Sequence, residues 1–214
     1  GSDVCSSDLA IIERRGSKVA LITSQGFRDI QEIGTEPRYD TYDLFMEMPV
    51  PLVTRRWRFE VPERIGPDGQ VITSLDESRV VDVARAIASS DIDAVAVSLL
   101  HSYKNPNHER RIREILQQAS PDIIVCISSD VMPEIGAYER TSTTICNAYV
   151  LPAFTRYLAR LTSRFQEMGV NKDLYLMLSD GGTVHKSTAA IYPIRLVQSG
   201  PAGGVKAAAA INKI

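Results

Sequence analysis

Residues 94–127 read AVAVSLLHSYKNPNHERRIREILQQASPDIIVCI and carry the clearest structural signal in the chain. The near-continuous apolar run Ala94–Leu100 predicts a strand that is buried on both faces. Pro106–Ala119 repeats apolar residues at helical spacing, and Ile123–Ile127 is a second apolar run. A strand, a helix and a strand in this order are typical of a parallel βαβ unit, so we expect an α/β fold.

The segments before this unit continue the same pattern. Lys18–Thr23 (KVALIT) predicts another buried strand, and the acidic residues 76–77 suit the start of a helix that should end near Ser89. Between them, Arg55–Arg64 alternates apolar and charged residues, and a Gly-Pro-Asp-Gly turn leads to a return strand at Gln70–Thr73. We therefore expect a β-hairpin inserted into the α/β unit.

Helices are predicted at both ends of the chain. Ala10–Arg15 has the character of a helix end closed by Gly16, and Gly26–Gly34 that of a short helix. Thr141–Met168 predicts one long bent helix or two joined helices, because Pro152 lacks an amide donor. Beyond it we expect two strands and a final helix, at Leu174–Leu178, at Arg195–Val197 and from Ser199 onward.

The composition limits the class of protein. The 214 residues include 24 Lys and Arg against 26 Asp and Glu, a net charge of -2, which argues against a nucleic-acid-binding polycation. No apolar run approaches the ~18 to 20 residues of a membrane-spanning helix. The three cysteines are too scattered for a disulfide framework or a zinc site, so we expect no metal site of that kind and a cytoplasmic location.

The first nine residues do not resemble a signal peptide. Ser2–Leu9 is what one reading frame of a common sequencing-library adapter encodes, so we expect residues 1–9 to be an adapter artefact or disordered. An ordinary polar N-terminus or a tag scar is the alternative. Because Val205–Ile214 is an Ala-rich helical run without a stop signal, we expect the chain to be an internal fragment of a longer protein.

The most informative candidate site is QSGPAGGVKAAAA, residues 198–210. Small residues at a helix N-terminus let backbone amides approach an anion. The candidate binding residues are Ser199, Gly200, Gly203 and Gly204. The spacing matches neither a P-loop nor a dinucleotide-binding turn, and tight packing of the helix start against a strand is an equal alternative.

A second candidate is Ser179-Asp180-Gly181-Gly182, directly after a predicted strand. Ligands of open α/β sheets collect at the carboxyl ends of strands, and Asp180 could hold a metal or a substrate hydroxyl. The alternative is an ordinary Asp-Gly turn, which the composition favours.

Two further groups of polar residues are weaker candidates. His101 lies near His108 and Glu109 at another strand end, where a histidine and a carboxylate could exchange protons, although capping or packing is the more frequent role. A polar cluster also enters the long helix and could contact a ligand or simply cap the helix with ion pairs, at Glu139, Arg140 and Thr141. Cys126 and Cys146 are expected to be buried packing residues.

Five segments in order go beyond generic α/β character. They are RRGSKVALITSQGFRDIQEIG, LLHSYKNPNHERRIREIL, PEIGAYERTSTTICNAYVLP, LMLSDGG and VQSGPAGGV. This ordered set resembles the hydantoinase A/5-oxoprolinase family over nearly everything from Ala10 onward. The resemblance implies a partial actin-like, ribonuclease-H-like ATPase fold. It also implies an N-terminal domain over 10–184, truncated at its start, and the beginning of the hydantoinase A/oxoprolinase domain over 185–214.

The resemblance also implies an activity. It suggests a hydrolase that uses ATP and Mg²⁺ to open cyclic amides such as a lactam or hydantoin ring, in a hetero-oligomer with a hydantoinase B-type subunit. The implied mechanism is phosphorylation of a lactam or carbonyl oxygen before attack by water. A ketone carboxylase subunit and a non-catalytic assembly module are the alternatives. The family's phosphate loops lie outside this chain, so we expect the chain to be inactive alone. Where the family usually has Asn, this chain has Asp180, which cannot donate a hydrogen bond when ionised.

Overall fold

The computed structural model describes residues 6–35, 42–170 and 172–211. The chain divides into two compact units, which we treat separately. The sheet unit is Lys18–Ala148, and the terminal unit combines residues 1–17 with 149–214. The helices are α1 Ser6–Ile12, α2 Ile30–Ile33, α3 Glu77–Ala88, α4 Asn107–Ala119, α5 Ser128–Val131, α6 Ala137–Glu167, α7 Lys186–Ala189 and α8 Ser199–Ile211. The strands are β1 Val19–Ser24, β2 Arg58–Val61, β3 Arg64–Ile65, β4 Val71–Thr73, β5 Ala94–Ser98, β6 Ile124–Ile127, β7 Tyr175–Met177 and β8 Thr183–His185.

A four-stranded parallel sheet forms the centre of the sheet unit, in the order β2-β1-β5-β6. Every residue of β1 and β5 is buried, as expected for apolar strands inside a parallel sheet. The parallel α/β class predicted from residues 94–127 is therefore confirmed, with β5, α4 and β6 as the βαβ unit.

Helices α3 and α4 contact each other and cover the sheet with their apolar faces. In α3 this face is Val80, Val83, Ala84 and Ile87, at helical spacing. Burial of each large aliphatic side chain contributes about 1.5–3 kcal/mol of transfer free energy, which fixes the helices against the sheet. The start of α3 is fixed by Asp76, whose carboxylate accepts a hydrogen bond from the Arg79 amide at 3.1 Å.

The strand expected over Arg55–Arg64 is divided into three pieces. A 3₁₀ turn at Arg55–Trp57 leads into β2, which joins the parallel sheet. Pro62 then interrupts the strand because it has no amide to donate. The inserted hairpin is formed by β3 and β4 alone, which pair in antiparallel fashion across the predicted turn.

The prediction for the first helix was wrong at its C-terminus. Helix α1 ends at Ile12, and Arg14 rather than Gly16 adopts the left-handed conformation, with a φ of 56°. Gly16 is needed for a different reason: a Cβ atom there would lie 2.1 Å from the ring of Tyr149. Residues 1–5 of the predicted adapter segment lie outside the described residues, and Ser6–Leu9 belong to α1.

Around the end of the long helix, the terminal unit forms a small core from Phe154, Leu158, Ala189 and Leu196. The long helix α6 is continuous through Pro152, as one of the two predicted forms. Strand β7 pairs with β8 as an antiparallel hairpin.

The prediction of a strand at Arg195–Val197 was wrong, because Pro193 starts a 3₁₀ turn over Pro193–Leu196. None of the helices that the structure describes is both long enough and apolar enough to cross a membrane.

Candidate functional site

The carboxyl edge of the parallel sheet is where an α/β fold of this topology would bind a ligand. The chain leaves β1 toward β2 on one side and leaves β5 toward β6 on the other. Strands β1 and β5 therefore border a topological switch point, where connections diverge and a crevice can open. The residues that follow these two strands decide whether the crevice is open.

In this structure, the crevice between β1 and β5 is bridged by the chain itself. The Leu100 amide donates to Ser24 Oγ at 2.9 Å, and Ser24 Oγ donates to Glu63. His108 Nδ1 donates to the second oxygen of Glu63 at 2.8 Å. Glu63 is only 2% exposed, so its carboxylate is stabilised by these two donors rather than by water.

The β3–β4 hairpin lies along the same edge. His101 Nδ1 donates to the Ile65 carbonyl at 2.8 Å, and Asn105 Nδ2 donates to the Gly69 carbonyl at 2.9 Å. His101 adopts a φ of 54°, which turns the chain sharply after β5. The structure thus places His101 against the hairpin backbone and pairs His108 with Glu63, not with Glu109.

A second buried polar group surrounds Glu109, which is fully buried. Its carboxylate accepts from the Leu99 and Ser129 amides, both at 2.9 Å, and from Ser128 Oγ at 2.6 Å. Arg140 donates to Ser128 Oγ at 3.1 Å and to the Leu99 carbonyl at 2.6 Å. Burial lowers the pKa of Arg140, and the charge of Glu109 opposes this shift.

The three candidates at the start of α6 do not act as one cluster. Arg140 and Thr141 are buried, and Thr141 Oγ1 lies 2.8 Å from Ser98 Oγ at the end of β5. Glu139 is exposed. Since the buried members are hydrogen-bonded to the sheet edge, their arrangement anchors α6 to β5.

In the terminal unit, Ser179–Gly182 forms the turn of the β7–β8 hairpin. Gly181 has a φ of 78°, and the Gly182 amide donates to Asp180 Oδ1 at 2.6 Å. Ser179 donates to the Arg195 carbonyl through its amide at 2.9 Å and through Oγ at 3.0 Å. The strand before this segment, β7, is therefore part of an antiparallel hairpin and not of the parallel sheet. The Asp180 side chain accepts a hydrogen bond within the turn that it belongs to.

The two glycine-containing candidates of the terminal unit lie together. Lys206 Nζ of α8 donates to the Gly181 carbonyl. Gly203 lets α8 approach the hairpin, because a Cβ atom there would lie 2.8 Å from Met177 Sδ. A Cβ atom at Gly200 or Gly204 would meet no atom within 4 Å, so these positions face open space.

The nucleotide implied by the resemblance requires a cradle of backbone amides and an acidic metal site. Ser199–Gly204 form the first turns of α8, and none of their glycines has a positive φ. Within residues 6–35, 42–170 and 172–211, no group of three or more His, Cys, Asp or Glu side chains could hold a metal ion. Among the described residues, the start of α8 is thus a helix N-terminus rather than a glycine loop, and no group of three metal-ligating side chains accompanies it.

The sequence analysis missed Glu63, the most buried carboxylate of the β1–β5 crevice. Its position depends on a contact between Ser24 and Glu63, which are 39 residues apart. The available signal was its place directly after Pro62 at the end of a strand. Reading Arg55–Arg64 as one continuous strand hid that signal.

The fold and these sites define an α/β protein with a parallel sheet whose polar edge residues are mostly engaged in internal hydrogen bonds. A family model for the hydantoinase/oxoprolinase N-terminal region matches residues 9–120, and a second model for hydantoinase/oxoprolinase matches residues 140–214. The chain belongs to the hydantoinase/oxoprolinase family.

Relatives and solved structures agree with this assignment. The chain is 43% identical to an uncharacterized protein of Methanocaldococcus jannaschii and 34% identical to caprolactamase subunit alpha of Pseudomonas jessenii, in each case over 92% of this chain and 29% of the relative. Among solved structures, nucleotide-free acetone carboxylase matches with a TM-score of 0.86 and 30% identity, covering 97% of this chain and 31% of that chain. The ATP-dependent caprolactamase of Pseudomonas jessenii matches with a TM-score of 0.80 and 33% identity, covering 92% of this chain and 29% of that chain. The chain therefore spans less than a third of these relatives, and the matches are consistent with the expected partial actin-like fold.

Proposed function

We propose that this chain is part of a longer ATP-dependent enzyme that opens a cyclic amide, such as a lactam or a hydantoin ring. The observation that carries the proposal is the match to an ATP-dependent caprolactamase over 92% of the chain, at 33% identity and a TM-score of 0.80. A lactam resists hydrolysis because its amide nitrogen is a poor leaving group, and coupling to ATP is a means of overcoming that barrier. Mg²⁺, a B-type partner subunit and a cytoplasmic location belong to this proposal.

Within such an enzyme, we assign different roles to the two units. The buried groups around Glu63 and Glu109 hold strand ends and helices in place. The turn Ser179–Gly182 and the start of α8 are the better candidates for contact with substrate or nucleotide. This assignment is supported by the contact between Lys206 and Gly181 and by the open space at Gly200 and Gly204.

A ketone carboxylase subunit is the second candidate function. The observation that favours it is the higher TM-score of acetone carboxylase, 0.86 against 0.80, over a larger share of the chain. Both reactions begin at a carbonyl group, so the same scaffold suits either one. A non-catalytic assembly module remains as a third candidate from another class.

The products separate these candidates. The longer protein that carries this sequence would be purified with its B-type subunit and incubated with ATP and Mg²⁺. Lactams, hydantoins and 5-oxoproline would be tested in parallel with ketones plus bicarbonate. We expect a product heavier than a cyclic amide by one water. A product heavier than a ketone by one carbon dioxide would assign the carboxylase, and no product with any substrate would support the assembly module.

A further inference from the structure

The pair formed by Glu63 and His108 joins a buried carboxylate to a histidine that reaches the surface. The side chain of Glu63 is fully buried, whereas that of His108 is 12% exposed. The pair lies at the carboxyl edge of β1 and β5, where the connections of the sheet diverge. This is the edge at which parallel α/β sheets bind their ligands.

The hydrogen bonds of Glu63 differ in kind from those of Glu109. Glu109 accepts from two backbone amides and lies in the field of Arg140, which are fixed groups. The donors to Glu63 are two side chains, Ser24 Oγ and His108 Nδ1. Among the residues that the structure describes, no Lys or Arg lies within ion-pairing distance of Glu63. The group that can bring a positive charge to this carboxylate is therefore the His108 ring.

The contact with Glu63 fixes where the His108 ring carries its proton. An ionised carboxylate can only accept hydrogen bonds, so the proton in the 2.8 Å contact belongs to Nδ1. The neutral ring then has a lone pair on Nε2. Within the described part of the chain, Nε2 makes no hydrogen bond. A ring that is held by a carboxylate at one nitrogen and open at the other has the arrangement of a general base.

We propose that His108 is the general base for the water that opens the cyclic amide, with Glu63 as its positioning residue, a role that rests on the proposed function. As the water oxygen bonds to the carbonyl carbon, one water proton moves to His108 Nε2. The carbon–nitrogen bond of the ring then breaks and leaves its electron pair on nitrogen. That nitrogen takes up the proton from Nε2, which restores the neutral imidazole.

Buried Glu63 favours this proton transfer because His108 becomes a cation when it accepts the proton. The carboxylate oxygen lies 2.8 Å from Nδ1, and protein rather than water surrounds it, so its attraction for the cation is weakly screened. Ser24 Oγ holds the second oxygen and keeps the carboxylate in place. Glu63 thus keeps its structural role at the strand ends, and its accessible partner adds the chemistry.

The test is His108→Asn in the proposed longer enzyme. The Asn side chain carries its NH₂ group where histidine carries Nδ1, so it can still donate to Glu63, but it has no counterpart of the Nε2 lone pair. The kcat for opening a cyclic amide should fall by about 100-fold or more, while KM stays within about threefold. The thermal midpoint should stay at the wild-type value, because the hydrogen bond to Glu63 is kept.

The matched control is His185→Asn, the same substitution at a histidine outside the sheet edge. His185 Nε2 also lies near a carboxylate, 3.6 Å from Asp173, but these side chains are 36% and 76% exposed. His185 caps α7, and Asn is a favourable residue at that position. The control should keep kcat within about threefold of the wild type.

Glu63→Gln tests the positioning role separately. It keeps an oxygen that can accept from His108 Nδ1 but removes the charge that stabilises the protonated ring. We expect kcat to fall by about tenfold or more with KM unchanged. A role confined to stability would lower the thermal midpoint and leave the kcat of the folded enzyme as it is.

Nitrogen-15 NMR of the histidine rings in the 214-residue chain tests the arrangement without any activity. The neutral His108 ring should carry its proton on Nδ1, and His108→Asn identifies its signal. A proton on Nε2 would overturn the proposal, as would a His108→Asn enzyme that keeps a third or more of the wild-type kcat. A wild-type longer enzyme that opens no cyclic amide would contradict the proposed function, and this role of His108 with it.

Discussion

Glu63 and Glu109 are buried carboxyl groups at the carboxyl ends of the parallel strands, and each accepts hydrogen bonds from distant parts of the chain. A buried carboxylate is tolerated only when its oxygens receive hydrogen bonds. Removing a donor or an acceptor leaves unpaired groups in a region without water, so these residues should matter more to stability than their charge alone suggests.

Replacing Glu109 with Gln should lower the free energy of unfolding by about 2–4 kcal/mol. The amide NH₂ would face the Leu99 or Ser129 amide, which are both donors. Urea denaturation measures this loss. The control is Glu114→Gln on the same helix, where the carboxylate pairs with Arg111 at the surface and a change within about 0.5 kcal/mol is expected. Equal effects of the two substitutions would contradict the role of Glu109.

Cys126 provides a prediction about pH. Burial raises the pKa of its thiol to about 11, against an ordinary value of 9.0, and Asn147 donates to its Sγ at 3.4 Å. In a variant with Cys5 and Cys146 replaced by Ser, alkylation at pH 8 should be slower in the native state than after unfolding by a factor of about 100 or more, because burial lowers the thiolate fraction and also restricts access of the reagent.

The same shift predicts the direction of the stability change. The raised pKa means that the folded state binds the thiol proton more tightly, so this contribution is complete below about pH 9 and is lost as the pH rises toward about 11. Rapid alkylation of the native protein at pH 8, or Cys126→Ala showing the same loss of stability over that range, would contradict the account.

At the scale of elements, the strongest sequence signals came from spacing. The apolar runs of β1 and β5 and the helical spacing in α3 and α4 were predicted because each pattern is contained within one segment. Which strands pair with each other could not be predicted in this way, because pairing joins separate segments of the chain. β7 was recognised as a strand, but its antiparallel pairing with β8 depends on tertiary packing that periodicity does not encode.

The candidate sites also separate into features that lie within one segment and features that depend on contacts between distant segments. Ser179–Gly182 and the start of α8 were found from their small residues, and the structure brings them together through Lys206. Their detailed form was not predictable, because Ser199–Gly204 could equally form a loop or a helix start. Glu63 was missed because its role depends on the folded contact with Ser24.

Substitutions at two glycines of helix α8 should change the stability of the chain in opposite directions. Gly204 lies in a helix and faces open space, so Gly204→Ala should stabilise the chain by about 0.5–1 kcal/mol. Gly203→Val should destabilise it by about 1–3 kcal/mol, because the new side chain would collide with Met177. Thermal unfolding measures both changes.

A double variant isolates the cause at Gly203. Met177→Ala should offset part of the loss in Gly203→Val by making room beside α8. If Gly203→Val leaves stability unchanged but abolishes turnover in the proposed longer enzyme, the glycine serves ligand binding instead of packing.

The whole molecule combines a parallel sheet unit with a terminal unit, and family models match residues of both. Its fold class was predictable because parallel βαβ units have a strong local signature. Its function was not predictable from these patterns, since the polar residues at the sheet edge are engaged in internal hydrogen bonds. The similarity of the chain to an ATP-dependent caprolactamase, rather than any single residue, therefore carries the functional proposal.

The rate of ADP formation would be measured in parallel for the proposed longer protein with its proposed B-type subunit and for this chain alone. We predict ADP formation that rises when a cyclic amide is added to the proposed longer protein, and none above background with the 214-residue chain. ATP hydrolysis by the chain alone that a substitution within it abolishes would contradict the account, as would a longer protein in which no cyclic amide or ketone raises ADP formation.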